Sequence, residues 1–245
     1  MQLLFEKSTF GHIQGAVASL REGKGKEKET LSLIERALRF GQGVVVNLLW
    51  ERILVYQHLV MQGNKKALPK MEAATLAAGK YVKQNKLKEW ESRSLRFLGR
   101  LYDYKGKFSE SVKAYKKAIP LARLDPDFVK KGYPRWLELE GFLSSALIKS
   151  GKVNEGVNLA KKTFEKFNQS SEGKFLKKKD YYTWAIWKSG IAIRTIEATH
   201  SKRFLSWLAE VGKDLNPPKG VKIWGDFSLR RDEIATLKRR VQNIN

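Results

Sequence analysis

Two segments of the chain repeat each other in residue type and spacing. Residues 106–112, GKFSESV, are matched by residues 151–157, GKVNEGV. In each copy the glycine can end one helix, and Ser109 or Asn154 can cap the next. The apolar residues that follow share the offsets 0, 4, 7, 11 and 14; they are Phe108, Val112, Tyr115, Ile119 and Ala122, and Val153, Val157, Ala160, Phe164 and Phe167. This spacing is one stripe of an α-helix, used twice.

Each of these helices follows another helix with its own stripe, so the repeating unit is a helical hairpin closed by a short glycine turn. The earlier stripes are Leu95, Leu98 and Tyr102, and Leu139, Phe142, Leu143 and Leu147. A weaker copy turns at Gly63, and a fourth hairpin is predicted between Lys178 and Lys213. No segment alternates with a period of two residues. The sequence therefore predicts an all-α protein, an α-solenoid of stacked antiparallel hairpins.

The stretch from Leu95 to Pro126 resembles a tetratricopeptide repeat. The matching residues are Leu98, Gly99, Tyr102, Gly106, Phe108, Glu110, Val112, Tyr115 and Ala118, and Asp125-Pro126 resembles the closing Asp-Pro of that family, three residues late. The turn glycines lie 43 and 45 residues apart, where the family keeps roughly 34. The resemblance covers one repeat closely and most of the chain loosely. It implies a TPR-like superhelix with a concave groove.

The sequence predicts two regions, a TPR-like repeat domain over residues 1–215 and a linker with a capping helix over residues 216–245. Successive prolines at 217 and 218 set the boundary, because they cannot continue a helix. Beyond them, Ile234, Leu237, Val241 and Ile244 form a stripe on a helix that Asp226 or Ser228 can cap. We expect this helix to fold back as the terminal cap of the array, with Trp224 and Phe227 packing the connection.

Charge and cysteine content limit the classes of partner and compartment. The chain has 48 Lys plus Arg against 25 Asp plus Glu, a formal net charge of +23, which attracts polyanions at low salt. A lysine-rich surface that serves only solubility is the alternative. It has no cysteine, which excludes disulfides and thiolate metal sites and favours a cytoplasmic location. The longest apolar run, residues 44–50, is far shorter than the roughly 20 residues of a membrane span, so we expect no such span.

No arrangement of residue types in the sequence predicts catalysis. His12, His58 and His200 are scattered and lack the spacing that a metal site needs. No nucleophile, base and orienting group can be assembled from the remaining residues. We therefore expect a protein that is not an enzyme and that requires no cofactor.

Three arginines on the first helix of the best-matching repeat are the leading candidates for binding. Arg93, Arg96 and Arg100 lie at i, i+3 and i+7, along one helical face. Arginine can hold a carboxylate or phosphate through two hydrogen bonds. In the resembling family, residues at these positions of the first helix face the groove, where basic side chains hold acidic or carboxylate-ended peptides. The predicted site therefore consists of these arginines in an exposed groove, and it is completed by Tyr104, Lys149 and Lys188. A solvated face without a partner is the alternative.

The function predicted from sequence is a scaffold that binds an acidic protein or peptide segment in a basic groove. The alternative is a nucleic-acid-associated protein that binds RNA or ribosomes through the same surface. Three lysines at 177–179 precede Tyr181, Tyr182, Trp184 and Trp187, and basic residues interleaved with aromatics can contact phosphates and stack on unpaired bases. The same aromatics also fit a core stripe. The sequence leaves the oligomeric state open.

Overall fold

A computed structural model describes residues 10–23, 25–41 and 44–242 of the chain. Helices make up 82% of these residues, and no strand occurs among them, so the prediction of an all-α protein is confirmed. The chain divides into two compact units, residues 1–87 and 88–245. The boundary between these units lies between residues 87 and 88, whereas the sequence predicted a boundary at residue 215.

The first unit packs a small apolar core between four helices in its described residues. These are α1 (Phe10–Glu22), α2 (Glu27–Arg39), α3 (Val45–Met61) and α4 (Ala67–Gln84). Helix α1 packs against α2 and α3, and α3 packs against α2 and α4. The core contains Ile13, Val17, Ile34, Ala37, Leu48 and Val55. Helices α3 and α4 are joined by the predicted turn at Gly63, where φ is 88°.

The second unit consists of consecutive helices that pack against one another. They are α5 (Glu91–Tyr104), α6 (Phe108–Leu121), α7 (Pro126–Lys131), α8 (Arg135–Lys149), α9 (Val153–Gln169), α10 (Ser171–Lys179), α11 (Tyr181–Thr199), α12 (Leu205–Asp214) and α13 (Ser228–Gln242). Helix α5 packs against α6, α8 against α9, and α11 against α12. Between these pairs, α6 packs against α8, and α8 packs against α11.

Glycine turns close the first two hairpins of this unit. Gly106 and Gly151 have φ values of 71° and 91°, a left-handed backbone that glycine adopts without a steric penalty. The helices that follow begin at Phe108 and Val153, and neither receives a side-chain cap. The predicted capping by Ser109 and Asn154 is therefore wrong, because each of these residues already lies inside the first turn of its helix.

The core of the second unit depends on close approaches between helices. A Cβ atom at Gly99 would lie 2.5 Å from a ring carbon of Tyr115, so only glycine lets that ring pack against α5. The Tyr115 ring in turn stacks on Phe142 of α8, with centroids 5.5 Å apart and planes 13° apart. A larger apolar cluster contains side chains from all the helices from α8 through α13, among them the buried Trp184 and Ile191.

The C-terminal helix α13 packs against α11 and α12. Its buried residues, Ile234, Leu237 and Val241, are those of the predicted stripe, while Ile244 lies outside the described residues. The connection before it is held by two aromatic contacts, because Trp224 and Phe227 lie 4.4 and 4.8 Å, centroid to centroid, from the ring of Tyr182. The apolar side of α13 is buried, while Arg231, Arg239 and Arg240 are exposed.

Candidate anion-binding site

Arg93, the first of the predicted binding residues, is buried and fully engaged within the protein. Its guanidinium donates to both carboxylate oxygens of Asp125, at 2.7 and 2.9 Å, and to Asp127 at 2.6 Å. Asp125 also accepts a hydrogen bond from the backbone N–H of Asp127 and so caps α7. Arg93 therefore ties α5 to the start of α7.

Further ion pairs extend from Asp127, so that arginine and carboxylate side chains alternate. Arg135, at the start of α8, donates to Asp127 at 2.7 Å and to Glu138 at 3.4 Å. Arg96 donates to Glu138 at 2.7 and 3.1 Å. We call these six side chains, Arg93, Asp125, Asp127, Arg135, Glu138 and Arg96, the ion-pair chain. It contains three guanidinium and three carboxylate groups, so its charges balance.

The carboxylates of the ion-pair chain stay ionised because of their neighbours. Burial by itself would raise the pKa of Asp125, Asp127 and Glu138. The surrounding guanidinium groups outweigh burial and lower the pKa of each carboxyl below its ordinary value, and Arg135 acts on all three. A buried pair of this kind requires both partners, since removing one leaves an uncompensated charge.

Arg100, the third arginine of the predicted ladder, bonds along its own helix. It donates to the hydroxyl of Tyr104 at 2.6 Å and to Asp103 at 3.3 Å. Asp103 also accepts from the hydroxyl groups of Ser111 and Tyr115 on α6, at 2.6 and 2.8 Å. Arg100 and Tyr104 thus belong to a polar network between α5 and α6.

The prediction that Arg93, Arg96 and Arg100 line an exposed groove is wrong. Arg93 and Arg100 are each only 9% exposed, and all three form ion pairs within the second unit. The prediction assumed that Leu95, Leu98 and Tyr102 form the buried face of the helix. Phe97 and Leu101 are instead the most buried large apolar side chains of α5, and this rotation of the helix carries the arginines inward.

Of the other predicted residues, Lys188 is internal and Lys149 is exposed. Lys188 is 1% exposed, and its Nζ lies 2.6 Å from Glu210 and 2.7 Å from Asp214, so it ties α11 to α12. Lys149 lines a cleft of about 310 Å³ together with Ile196, Glu197, His200, Leu237, Arg240 and Val241. The aromatics Tyr181, Tyr182, Trp184 and Trp187 are buried. They belong to the core, so they are not free to stack on bases.

Arg194 of α11 is a residue that the sequence prediction missed. Among the described residues it has no hydrogen bond or ion pair, and its Nε and Nη2 atoms are buried without a partner. Its guanidinium carbon lies 4.0 Å from the ring centroid of Phe142. Arg96 and Arg100 approach the same ring, at 5.1 and 4.9 Å. We call Arg96, Arg100 and Arg194 the arginine cluster.

Two glycines make room for the guanidinium of Arg194. A Cβ atom at Gly190 would lie 2.7 Å from Nη1, and one at Gly141 would lie 3.2 Å from Nη2. A side chain at either position would crowd the group. The sequence does carry a signal for this residue, since Arg194 is the one charged residue in the stretch from 189 to 196. A lone charge inside an apolar helix is costly unless it has a partner or a function.

The charge of Arg194 has no compensating carboxylate in contact with it. Burial, and after it the like charges of Arg100 and Arg230, lower the pKa of Arg194 to about 9, so the group is still protonated at neutral pH. Glu197, three residues further along α11, forms no ion pair with it. Burial and the neighbouring Glu233 raise the pKa of Glu197. Arg194 therefore keeps a positive charge that no carboxylate in contact with it neutralises.

Comparison with protein-family models, curated proteins and solved structures found no significant match. Within the described part of the chain, no group of three or more His, Asp or Glu side chains is arranged to hold a metal ion. None of the described helices combines the length and apolar content that crossing a membrane requires.

Proposed function

We propose that this protein is a non-enzymatic scaffold that binds an acidic segment of another protein on its second unit. One observation carries the proposal. Three guanidinium groups from two helices converge on the ring of Phe142, while the carboxylates paired with them are only Glu138 and Asp103. One positive charge is left over, and a carboxylate from a partner satisfies it.

The architecture that suits this function is an α-solenoid similar to tetratricopeptide repeats. The succession of helix pairs, with α6 packed on α8 and α8 packed on α11, supports it. So do the left-handed glycines that close the first two hairpins. In such an array the first helices of successive hairpins lie side by side, and α5, α8 and α11 are the helices that carry the arginine cluster and Phe142.

The net charge supports an acidic partner, and the absence of cysteine supports a cytoplasmic setting. A net charge of +23 speeds the approach of an acidic segment, and this long-range attraction weakens as salt rises. A cysteine-free sequence suits a reducing compartment. The ion-paired arginines hold the site in place, and the uncompensated guanidinium supplies short-range binding at a defined point.

A direct test is fluorescence anisotropy with a labelled glutamate-rich peptide at about 0.15 M salt. We expect saturable binding that the Arg194→Gln substitution weakens about tenfold, the loss of one charge-assisted hydrogen bond. Arg239→Gln removes the same charge from an exposed position and should change binding less than about twofold. If the peptide does not bind, or an RNA of equal length binds more tightly to nuclease-treated protein, the proposal fails, and the second result favours a nucleic-acid partner.

A further inference from the structure

Asp180, between α10 and α11, joins three segments of the second unit through hydrogen bonds. Its carboxylate accepts from the hydroxyl of Tyr133, just after α7, at 3.1 Å. It also accepts from the indole N–H of Trp224, in the segment before α13, at 3.1 and 3.2 Å. The end of α7, the end of α10 and the segment before α13 therefore lie next to one another.

The ring of Phe175 on α10 lies against the end of α7 and remains partly uncovered. A Cβ atom at Gly132 would lie 3.0 Å from a carbon of this ring. Phe175 is 45% exposed, and Trp224 is 44% exposed. The indole N–H of Trp224 already donates to Asp180, and an indole has no other polar atom. The exposed surface of Trp224 therefore needs no further hydrogen bond.

Exposed apolar side chains are concentrated in these three segments. In the described part of the second unit seven large apolar side chains are exposed, and five of them lie here: Val129 on α7, Phe175 on α10, and Val221, Ile223 and Trp224 before α13. We call these five the exposed apolar group. Single apolar residues are common on protein surfaces, whereas a group in one region marks a surface that contacts a partner or a membrane.

The lysines at the end of α10 share a side of the helix with Phe175. Lys178 and Lys179 lie three and four residues after it, which places them beside Phe175 on the helix surface. Both are exposed, and neither forms an ion pair with a described residue. The one acidic residue of α10, Glu172, lies in its first turn, at the far end from these lysines.

Two further lysines accompany the apolar residues before α13. Lys219 and Lys222 stand on either side of Val221, and both are exposed without an ion pair to any described residue. Asp226, the next acidic residue along the chain, accepts hydrogen bonds from the backbone N–H and the hydroxyl of Ser228. The three segments thus combine exposed apolar side chains with unpaired positive charges.

We propose that the exposed apolar group and the lysines beside it dock the protein on an anionic lipid surface. Lysines near such a surface attract its anionic headgroups, and apolar side chains enter the boundary between headgroups and acyl chains. Tryptophan is enriched at that boundary. The inference goes beyond the proposed function and is independent of it, because it uses no residue of the arginine cluster.

A lipid surface fits these side chains better than a nucleic acid does. Bases stack on aromatic rings and on arginine, whereas Val129, Val221 and Ile223 are aliphatic and offer neither. Aliphatic side chains do gain free energy when a lipid boundary removes them from water. The cations named above are all lysines, which act as point charges toward anionic headgroups and lack the planar fork of arginine.

The first experiment is co-sedimentation with vesicles at about 0.15 M salt. We expect the protein to bind vesicles of equal parts phosphatidylserine and phosphatidylcholine, and to bind pure phosphatidylcholine vesicles far more weakly. Binding to the anionic vesicles should fall as salt rises, because exposed charges are screened. Failure to bind the anionic vesicles overturns the proposal.

Two variants separate this face from the overall positive charge. The double substitution Lys178→Gln/Lys179→Gln should weaken binding to the anionic vesicles about tenfold. The matched control is Lys113→Gln/Lys117→Gln, an exposed pair on α6, which packs against α5 and α8; it should change binding less than about twofold. An equal loss in the two variants identifies a diffuse charge effect and overturns the proposal.

The apolar contribution is tested by Ile223→Ser, which keeps every charge and should weaken vesicle binding about threefold. Lipids with brominated acyl chains quench tryptophans that reach the acyl boundary, so they should quench the original protein and quench Trp224→Phe much less. Quenching that is equal in the two proteins overturns insertion at this face. Binding of a single-stranded RNA that Lys178→Gln/Lys179→Gln weakens, without vesicle binding, also overturns the proposal and favours a nucleic-acid partner.

Discussion

The guanidinium carbon of Arg194 lies 4.0 Å from the ring centroid of Phe142, and this contact takes the place of an ion pair. The face of an aromatic ring carries partial negative charge, which stabilises a cation without neutralising it. Tyr115 stacks on the same ring, and Arg96 and Arg100 also lie against it. Phe142 is therefore the point through which α5, α6, α8 and α11 meet.

Replacing Phe142 by leucine should lower the free energy of unfolding by about 2 kcal/mol, because the ring contacts and part of a buried side chain are lost together. Urea denaturation followed by circular dichroism measures the change. Phe175→Leu is the control, since that ring is 45% exposed, and it should cost less than about 0.5 kcal/mol. Equal losses in the two variants would show that the convergence on Phe142 contributes nothing.

Asp125→Asn should destabilise the second unit by about 3 kcal/mol, because Arg93 and Arg135 would lose a buried counter-charge that both contact. The amide keeps the shape of the carboxyl and one oxygen that can still cap α7, so the loss reports charge more than size. Glu165→Gln, at an exposed position, changes charge in the same direction and should have little effect. If Asp125→Asn and Glu165→Gln had the same denaturation midpoint, this result would contradict a stabilising role for the ion-pair chain.

Acidification should destabilise the second unit at a pH below about 4, the ordinary range of carboxyl groups. Asp125, Asp127 and Glu138 have folded-state pKa values below their unfolded values. Their contribution to stability is therefore present above the unfolded pKa and is lost as pH falls through the folded pKa. Glu197, whose pKa is raised, changes stability in the opposite sense.

Denaturation curves collected between pH 7 and pH 3 measure this dependence. The Asp125→Asn variant should show a shallower loss than the original protein, since one of the titrating groups has been removed. A variant that loses stability as steeply as the original would indicate that other carboxyl groups dominate acid unfolding.

Gly190→Ala tests the space around Arg194. Alanine favours a helix over glycine by about 1 kcal/mol, and Gly79→Ala, where a Cβ would meet nothing within 4 Å, should show this gain. At Gly190 the new Cβ would lie 2.7 Å from Nη1 of Arg194, so we expect no gain in stability and weaker binding of an acidic peptide. Thermal melts and peptide anisotropy on both variants provide the comparison, and a stabilised Gly190→Ala with normal binding would contradict it.

Local patterns in the sequence were sufficient to predict most of the secondary structure. The in-frame repeat placed turns at Gly106 and Gly151, and both adopt the left-handed backbone that a glycine turn requires. The spacing of Ile234, Leu237 and Val241 identified the buried side of the last helix. These features depend on residues within a few positions of one another, so helical periodicity and turn chemistry determine them.

Only the tertiary structure determined which charged side chains form ion pairs within the protein and which do not. Periodicity correctly places Arg93, Arg96 and Arg100 on one side of a helix, but it does not fix the rotation of that helix against its neighbours. Their partners include Asp125 and Glu138, which lie 32 and 42 residues further along the chain. Pairings over such separations form only when helices pack, and the same packing leaves Arg194 without a carboxylate. The sequence thus determined the helices, and the packing between them determined which arginine is left without a carboxylate partner.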